Sequence, residues 1–240
     1  MLVRFGQEVQ EVPRRVSRLT RPRTRLITEG VVAVLGALAF LALASAFTRG
    51  GQVVSFDDDV SRWVADSVPA GVEWIARLFT WLGGAVGTTV VTGLAAAVLW
   101  RASRRGDAAF VVIAVAGITV LVAVLKAIYE RARPDFGSAI SLPHSYSFPS
   151  GHAATAVVLY GAIGLLLAER ARSRARAAAW LVAAGLVALA IGASRVILNV
   201  HFVSDVAAGF AVGLTWLCCC AIVRDVLTGQ ADQTDAPGPK

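Results

Sequence analysis

Three polar clusters interrupt an otherwise apolar chain, and each has residue types and spacing suited to handling a phosphoryl group. In Pro149-Ser150-Gly151-His152, a turn opens directly into an apolar run from Ala153 to Ala168. Pro149 ends the preceding loop, Ser150 is a favoured N-cap, and Gly151 lets the backbone pass close to a ligand without a Cβ in the way. The first amides of the new helix have no intrahelical partners, and with the positive end of the helix dipole they make an anion site. His152 stands at its mouth as a side chain able to deliver a proton near neutral pH.

The second cluster is Lys126-x6-Arg133-Pro134. On a continuous helix Lys126 and Arg133 would share a face about 10 Å apart along the axis. Pro134 pushes Arg133 out of helical geometry, so Lys126 is expected on the last turns of a span with Arg133 folding over from the loop. The third cluster is Ser194-Arg195-x5-His201-x3-Asp205. With Asn199 as the cap of the next helix, His201 and Asp205 would lie on one helix face. A carboxylate that accepts one imidazole N–H leaves the other nitrogen's lone pair outward, as a base or nucleophile. Taken singly, the cations could snorkel to lipid headgroups and the His-Asp pair could be a structural hydrogen bond. Ionisable groups at the edge of an apolar bundle are costly, however, and all three clusters fall at one edge. Three cations, free amides and two histidines are what phosphoryl transfer requires, because its catalysis is chiefly clamping and in-line positioning. Fixed cations can neutralise the phosphate, so this reading calls for no metal and no cofactor.

The elements that position these clusters are membrane spans. Of the 240 residues 56% are hydrophobic, and the mean hydropathy of +0.66 is that of an integral membrane protein. The net charge of +7 does not point to nucleic acid, because the basic residues sit in short clusters between apolar runs. The expected fold is an all-α bundle of six transmembrane helices: Ile27 to Phe47, Leu78 to Trp100 loosened at Gly83-Gly84, Asp107 to Ile128, Ala153 to Ala168, Ala177 to Leu198, and Val200 to Val223. Ala44-Ser45-Ala46 resembles a signal-peptidase site, but the apolar run before it exceeds a secretory h-region, so the first span reads as an anchor. Between the first two spans, Val60, Trp63, Val64 and Val68 have helical spacing and indicate a short surface helix. Asp57-Asp58-Asp59 reads as acidic residues in its first turn. Cys218, Cys219 and Cys220 are adjacent in an apolar run and read as small buried residues.

The domain division is a basic N-terminal segment 1–26, a membrane domain 27–224 and a disordered tail 225–240. Most of the 23 Lys and Arg residues fall in the N-terminal segment, the 101–106 turn, the 169–176 turn and the C-terminal end. The positive-inside rule therefore places both termini in the cytoplasm and the three clusters on the extracytoplasmic side of the plasma membrane.

Together the three clusters resemble the three-part signature of the type 2 phosphatidic acid phosphatase superfamily, which includes membrane lipid phosphatases, soluble acid phosphatases and vanadium haloperoxidases. All three parts match in order and spacing, over roughly residues 30 to 223, and six spans fit the membrane branch. The resemblance implies that His201 attacks phosphorus, that Asp205 orients it, and that His152 protonates the leaving oxygen and then activates water. It implies that Lys126, Arg133, Ser150, Gly151 and Arg195 hold the phosphate. His144 and Arg131 lie outside the signature and are read as structural or lipid-contacting. The expected partners are membrane lipids and a lipid phosphate, with undecaprenyl diphosphate, phosphatidate and phosphatidylglycerol phosphate as open alternatives. A non-enzymatic lipid-binding protein or transporter with an idle pocket is the competing reading, and the oligomeric state does not follow from the sequence.

Overall fold

The computed structural model describes residues 23–138, 140 and 145–234. The N-terminal segment up to residue 22, His144 and the tail from 235 lie outside the described residues. Among the described residues there are helices and connecting segments, with no strand. The helices are α1 (Arg23–Arg49), α2 (Gln52–Ser67), α3 (Ala70–Gly83), α4 (Ala85–Arg101), α5 (Arg105–Tyr129), α6 (Gly151–Ala168), α7 (Arg174–Ile197) and α8 (Val203–Thr234). Five are long and apolar enough to cross a membrane, and α3 with α4, bent by 51°, passes the same test as a pair and counts as a sixth when taken as one broken span. The all-α membrane bundle is as expected, and the bend falls where Gly83-Gly84 loosens the second span.

α6 lies at the centre, against α5, α7 and α8, while α1 runs along α8 and α3 along α7. Small residues let these helices approach closely. A Cβ added to Gly209 of α8 would stand 2.6 Å from the Ser150 carbonyl oxygen, and one added to Gly213 would stand 2.7 Å from that of Ala154. Such backbone-to-backbone crossings are how helices associate where lipid offers no hydrophobic driving force. The outward residues, including Val31, Leu35, Leu38, Leu94, Val98 and Leu186, are large, apolar and exposed, as a lipid-facing surface requires.

At the end carrying the polar clusters, Phe40 and Phe47 of α1 meet Tyr129 of α5 and Phe148. The ring centroids of Phe47 and Phe148 are 4.9 Å apart, and those of Tyr129 and Phe148 are 5.1 Å apart. Such pairs contribute about 0.5–1.5 kcal/mol each beyond area burial. Here they fix Phe148, and so the start of the Pro149-Ser150-Gly151 turn. The opposite end is closed by ion pairs. Arg224 of α8 bonds Asp107 of α5 at 2.6 Å and Glu169 at 2.9 Å, and Arg25 of α1 reaches Glu169 at 2.9 Å.

Several boundaries differ from the expectation. α8 does not stop at Val223 but runs to Thr234, so residues 225–234 of the expected disordered tail are helical. Asp225 is buried beside Arg25 at 3.7 Å, and no proline interrupts the chain before Pro237. α1 starts at Arg23, inside the basic segment. Asn199 does not cap the last helix: it takes a left-handed φ of 53°, which Asn tolerates, and α8 begins only at Val203. His201 therefore precedes the helix rather than sharing a face of it. The aspartate triplet is not in the first turn of α2, and Asp57 is fully buried. The inward face of α2 is Asp57, Ser61 and Val64, whereas Trp63 is 62% exposed. Of the cysteines only Cys218 is buried, because successive residues of a helix point about 100° apart.

Candidate active site

Four chain segments converge at one end of the bundle: the end of α5 with the segment after it, the start of α6, the end of α7, and the turn into α8. α5 ends because Glu130 adopts a left-handed φ of 46°, its N–H closing on Lys126 O at 3.0 Å. The chain then runs extended through Arg131 and Arg133 beside the incoming segment 145–150. Ser147 N–H donates to Arg131 O at 2.8 Å, and Ser147 Oγ donates to Ala132 O at 2.7 Å. Lys126 Nζ donates to the carbonyls of Tyr146 and, at 3.2 Å, Ser147, so its ammonium lies against this paired segment.

Arg133 folds over from the loop, as Pro134 requires. Its Nε donates to Ser145 O at 2.8 Å, and one terminal nitrogen donates to Val200 O at 2.7 Å and contacts His201 Nε2 at 3.2 Å. An arginine has no acceptor, so His201 Nε2 is the acceptor in this contact and the ring proton resides on Nδ1. Nδ1 lies 3.4 Å from Asp205 Oδ2, which also accepts the Phe202 N–H at 3.0 Å. His201 is 2% exposed. Burial is the largest influence on its pKa, which is lowered to about 4 against the opposing effect of Asp205. The same desolvation lowers the pKa of Arg133.

Ser150 is the residue before the first turn of α6, with φ −69° and ψ 115°, but its hydroxyl makes no capping bond. Its backbone N–H donates to Asp205 O at 2.9 Å, which ties the α6 start to the α8 start. Ser150 Oγ is buried with no partner among the described residues, and Arg195 Nε is likewise buried and unpartnered. One terminal nitrogen of Arg195 donates to Thr80 Oγ1 on α3. Arg195 is 2% exposed, so its free N–H is aimed at the protein interior rather than at solvent. A buried unsatisfied donor costs about 1–3 kcal/mol and calls for an explanation. An oxyanion held between these chain segments would satisfy both donors.

His152 rests against the bend between α3 and α4. A Cβ on Gly83 would be 3.3 Å from His152 Cδ2, and one on Gly84 would be 3.6 Å from its Nε2. Gly83 therefore makes room for the ring and for Ile191 Cγ2, which a Cβ would approach to 2.3 Å, whereas the distance at Gly84 is an ordinary contact. Around Gly151 a Cβ would meet only Val122 Cγ1, at an ordinary 3.5 Å, so protein packing alone does not demand glycine there. Every residue expected at the site thus lies at this end of the bundle.

Two residues were not expected there. Arg131, read as structural or lipid-contacting, is buried, donating to Asp205 Oδ1 at 2.7 Å, to Ser204 Oγ at 2.7 Å and to Asp57 Oδ2 at 2.8 Å. Asp57 also accepts the Ser204 N–H at 3.0 Å and the Ser204 hydroxyl, so it caps α8 from another helix. A sequence hint existed, since an arginine two residues from Arg133 and a run of three aspartates are both unusual beside membrane spans.

The arrangement resembles known proteins. A family model described as the PAP2 superfamily matches residues 107–228. Phosphatidylglycerophosphatase B of Bacillus subtilis (strain 168) is 42% identical over 93 residues, which are 38% of this chain and 45% of that protein. The match therefore spans less than half of that relative's length. The crystal structure of the first transmembrane PAP2 type phosphatidylglycerolphosphate phosphatase from Bacillus subtilis superposes with a TM-score of 0.72 at 27% identity, over 86% of this chain and 98% of that one. Aquifex aeolicus LpxE shares the fold with a TM-score of 0.54 at 24% identity, over 70% of this chain and 93% of that one.

Proposed function

The chain belongs to the PAP2 superfamily, and from that premise we propose that it is a membrane lipid phosphatase acting through a phosphohistidine. The observation that carries the reading is the Arg133 contact with His201 Nε2 at the end of the bundle where Ser150, tied through its N–H to Asp205 O, Arg195 and Lys126 also lie, with Ser150 Oγ and Arg195 Nε buried and unpartnered among the described residues. The lone pair of Nε2 attacks phosphorus as the ester P–O bond breaks, and the leaving oxygen takes a proton from His152. Asp205 accepts the Nδ1–H and stabilises the imidazolium that forms. His152 then takes a proton from water, whose oxygen attacks phosphorus; the P–N bond breaks and Nε2 recovers its lone pair. Lys126, Arg133, Arg195, Ser150 and the Gly151 amide hold the nonbridging oxygens, where charge develops.

The substrate assigned first is phosphatidylglycerol phosphate, the lipid named in both Bacillus relatives, with phosphatidate and undecaprenyl diphosphate as the comparison lipids. A site at the edge of the bundle suits such amphiphiles, since the headgroup can enter while the chains stay in lipid. The distribution of basic residues puts residues 1–26 and the C-terminal end in the cytoplasm, flanking a membrane domain at 27–224, with the site extracytoplasmic.

The test is phosphate release by detergent-purified full-length protein from each of the three lipids, with and without EDTA, and with His201→Ala as control. The expected result is turnover of phosphatidylglycerol phosphate above the others, unaffected by EDTA and reduced at least about 10³-fold in His201→Ala. Equal activity in the variant removes His201 as the nucleophile. Folded wild-type protein that turns over none of the lipids favours the idle-pocket reading. Labelling of cysteines introduced at exposed Ser103 and Asp59 in intact cells tests the orientation, with only the latter expected to react.

A further inference from the structure

Asp205 is held from both sides. Its Oδ2 accepts the Phe202 N–H at 3.0 Å and faces His201 Nδ1 at 3.4 Å, and its Oδ1 is bound by Arg131 at 2.7 Å. The other arm of the same guanidinium bonds Asp57 Oδ2 at 2.8 Å, and Ser204 Oγ bridges Arg131 and Asp57. The guanidinium also stacks between two rings, with its central carbon 4.8 Å from the Phe47 centroid and 4.2 Å from that of Phe202. Asp57 and Asp205 are fully buried, and the Arg131 side chain is 7% exposed. A planar fork fixed by two rings and a second carboxylate can hold Asp205 in only one plane.

Resting on the reading of His201 as nucleophile, we propose that Arg131 and Asp57 are positioning residues of the reaction. They form a buried chain, Asp57–Arg131–Asp205–His201, that sets the orientation and charge of the nucleophile from helix α2. Neither touches the phosphate-holding groups. Arg131 fixes the Asp205 carboxylate so that one oxygen is left for the imidazole. Asp57 draws on the other arm of Arg131, so that Asp205 keeps enough negative charge to orient the ring and stabilise the imidazolium. The outer helix α2 thereby becomes part of the machinery rather than a surface decoration. The charged or titratable groups that act on His201 are Asp205 from α8, Arg133 from the segment after α5, Arg195 from α7 and His152 from α6, with Arg131 reaching it only through Asp205. Asp57 is the contribution of α2.

The experiment compares Asp57→Asn, the double variant Asp57→Asn/Arg131→Gln, the exposed-site control Asp59→Asn and His201→Ala, each as full-length protein with the lipid that the wild type turns over. Asp57→Asn leaves Arg131 to bind Asp205 alone and is expected to lower kcat about tenfold or more with KM within about twofold. Asp57→Asn keeps the Arg131–Asp205 pair and is expected to fold, whereas the double variant leaves Asp205 buried without its cation and is expected to have a lower Tm, so its kinetics are read on the folded fraction. Its Asp205 faces His201 without a cation, and the acid limb of kcat/KM should move up by about one pH unit or more, alongside a reduced kcat. Ionisation of the substrate is common to all the variants and cancels in the comparison. A merely structural role would lower thermal stability without moving that limb. Folded single or double variants with kcat within about twofold of wild type and an unmoved limb overturn the proposal. If His201→Ala itself retains activity, the nucleophile reading fails instead, whatever Asp57 does.

Discussion

Arg133 donates to His201 Nε2 at 3.2 Å, and because a guanidinium cannot accept, this one contact fixes which imidazole nitrogen holds the lone pair. Nε2 faces the phosphate-holding groups and Nδ1 keeps the proton toward Asp205. The chain has only three histidines, so ¹⁵N-histidine labelling yields a spectrum simple enough to assign with His201→Ala. The expected signature is the Nδ1–H tautomer for His201. Arg133→Gln should weaken that bias and lower kcat/KM by about 10²-fold, since a charge-assisted contact made in the transition state is lost.

The same labelled protein tests the charge of the nucleophile. His201 must be neutral to attack, and its pKa in the folded protein is lowered to about 4, with burial the main cause. The sign follows directly: the competent neutral form predominates above the folded pKa and is lost as pH falls through it. The His201 signal should therefore titrate well below the ordinary imidazole value of about 6.5. The enzyme's own acid limb should lie there too, leaving kcat/KM between pH 7 and 5 governed by substrate ionisation. A His201 signal titrating near 6.5 would contradict the burial argument.

His152 is assigned two proton transfers, and a substrate with a good leaving group separates them. With p-nitrophenyl phosphate the leaving oxygen needs little protonation, so His152→Ala should spare the first step and impair the second. The variant is expected to accumulate an acid-labile, base-stable phosphoenzyme, visible by ³²P transfer, while steady-state turnover falls about 10²–10⁴-fold. No accumulation with equal slowing of both steps would place His152 in binding rather than in proton transfer.

The common location of the eight expected site residues was legible because each sits at or beside a helix end, where spacing and punctuation survive in one dimension. Pro134 announced that Arg133 leaves the helix, and Ser150-Gly151 announced where α6 begins. The Asp57–Arg131 contact was not legible, because it joins positions 74 residues apart and leaves no periodic trace. The apolar spacing of Val60, Trp63, Val64 and Val68 marked a surface helix, and Trp63 is exposed on it, but the spacing did not show that the buried face is Asp57, Ser61 and Val64. Two polar bonds made elsewhere set that face: Arg131 to Asp57, and Asn199 Nδ2 to Ser61 O at 3.1 Å. The His201-Asp205 pairing was anticipated for the wrong geometric reason, since the left-handed turn at Asn199, not a helix face, brings the two together.

The α6–α8 crossing makes packing and chemistry inseparable at Gly209. A Cβ there would lie 2.6 Å from Ser150 O and 2.9 Å from the Ala153 Cβ, both parts of a rigid helix start that cannot swing aside as a flexible side chain would. Ser150 N–H meanwhile bonds Asp205 O at 2.9 Å, so separating the helices pulls the phosphate-holding turn away from the nucleophile's carboxylate. Gly209→Val should therefore cost about 1–3 kcal/mol of stability, read as a lowered Tm in detergent. It should also lower kcat/KM in the fraction that remains folded. Gly93→Val is the matched control, because a Cβ there meets nothing within 4 Å, and it should leave both quantities near wild type. A Gly209→Val protein that loses Tm but keeps full kcat/KM would show that the crossing carries stability alone, and that Ser150 is positioned by the Phe148 aromatic cluster instead.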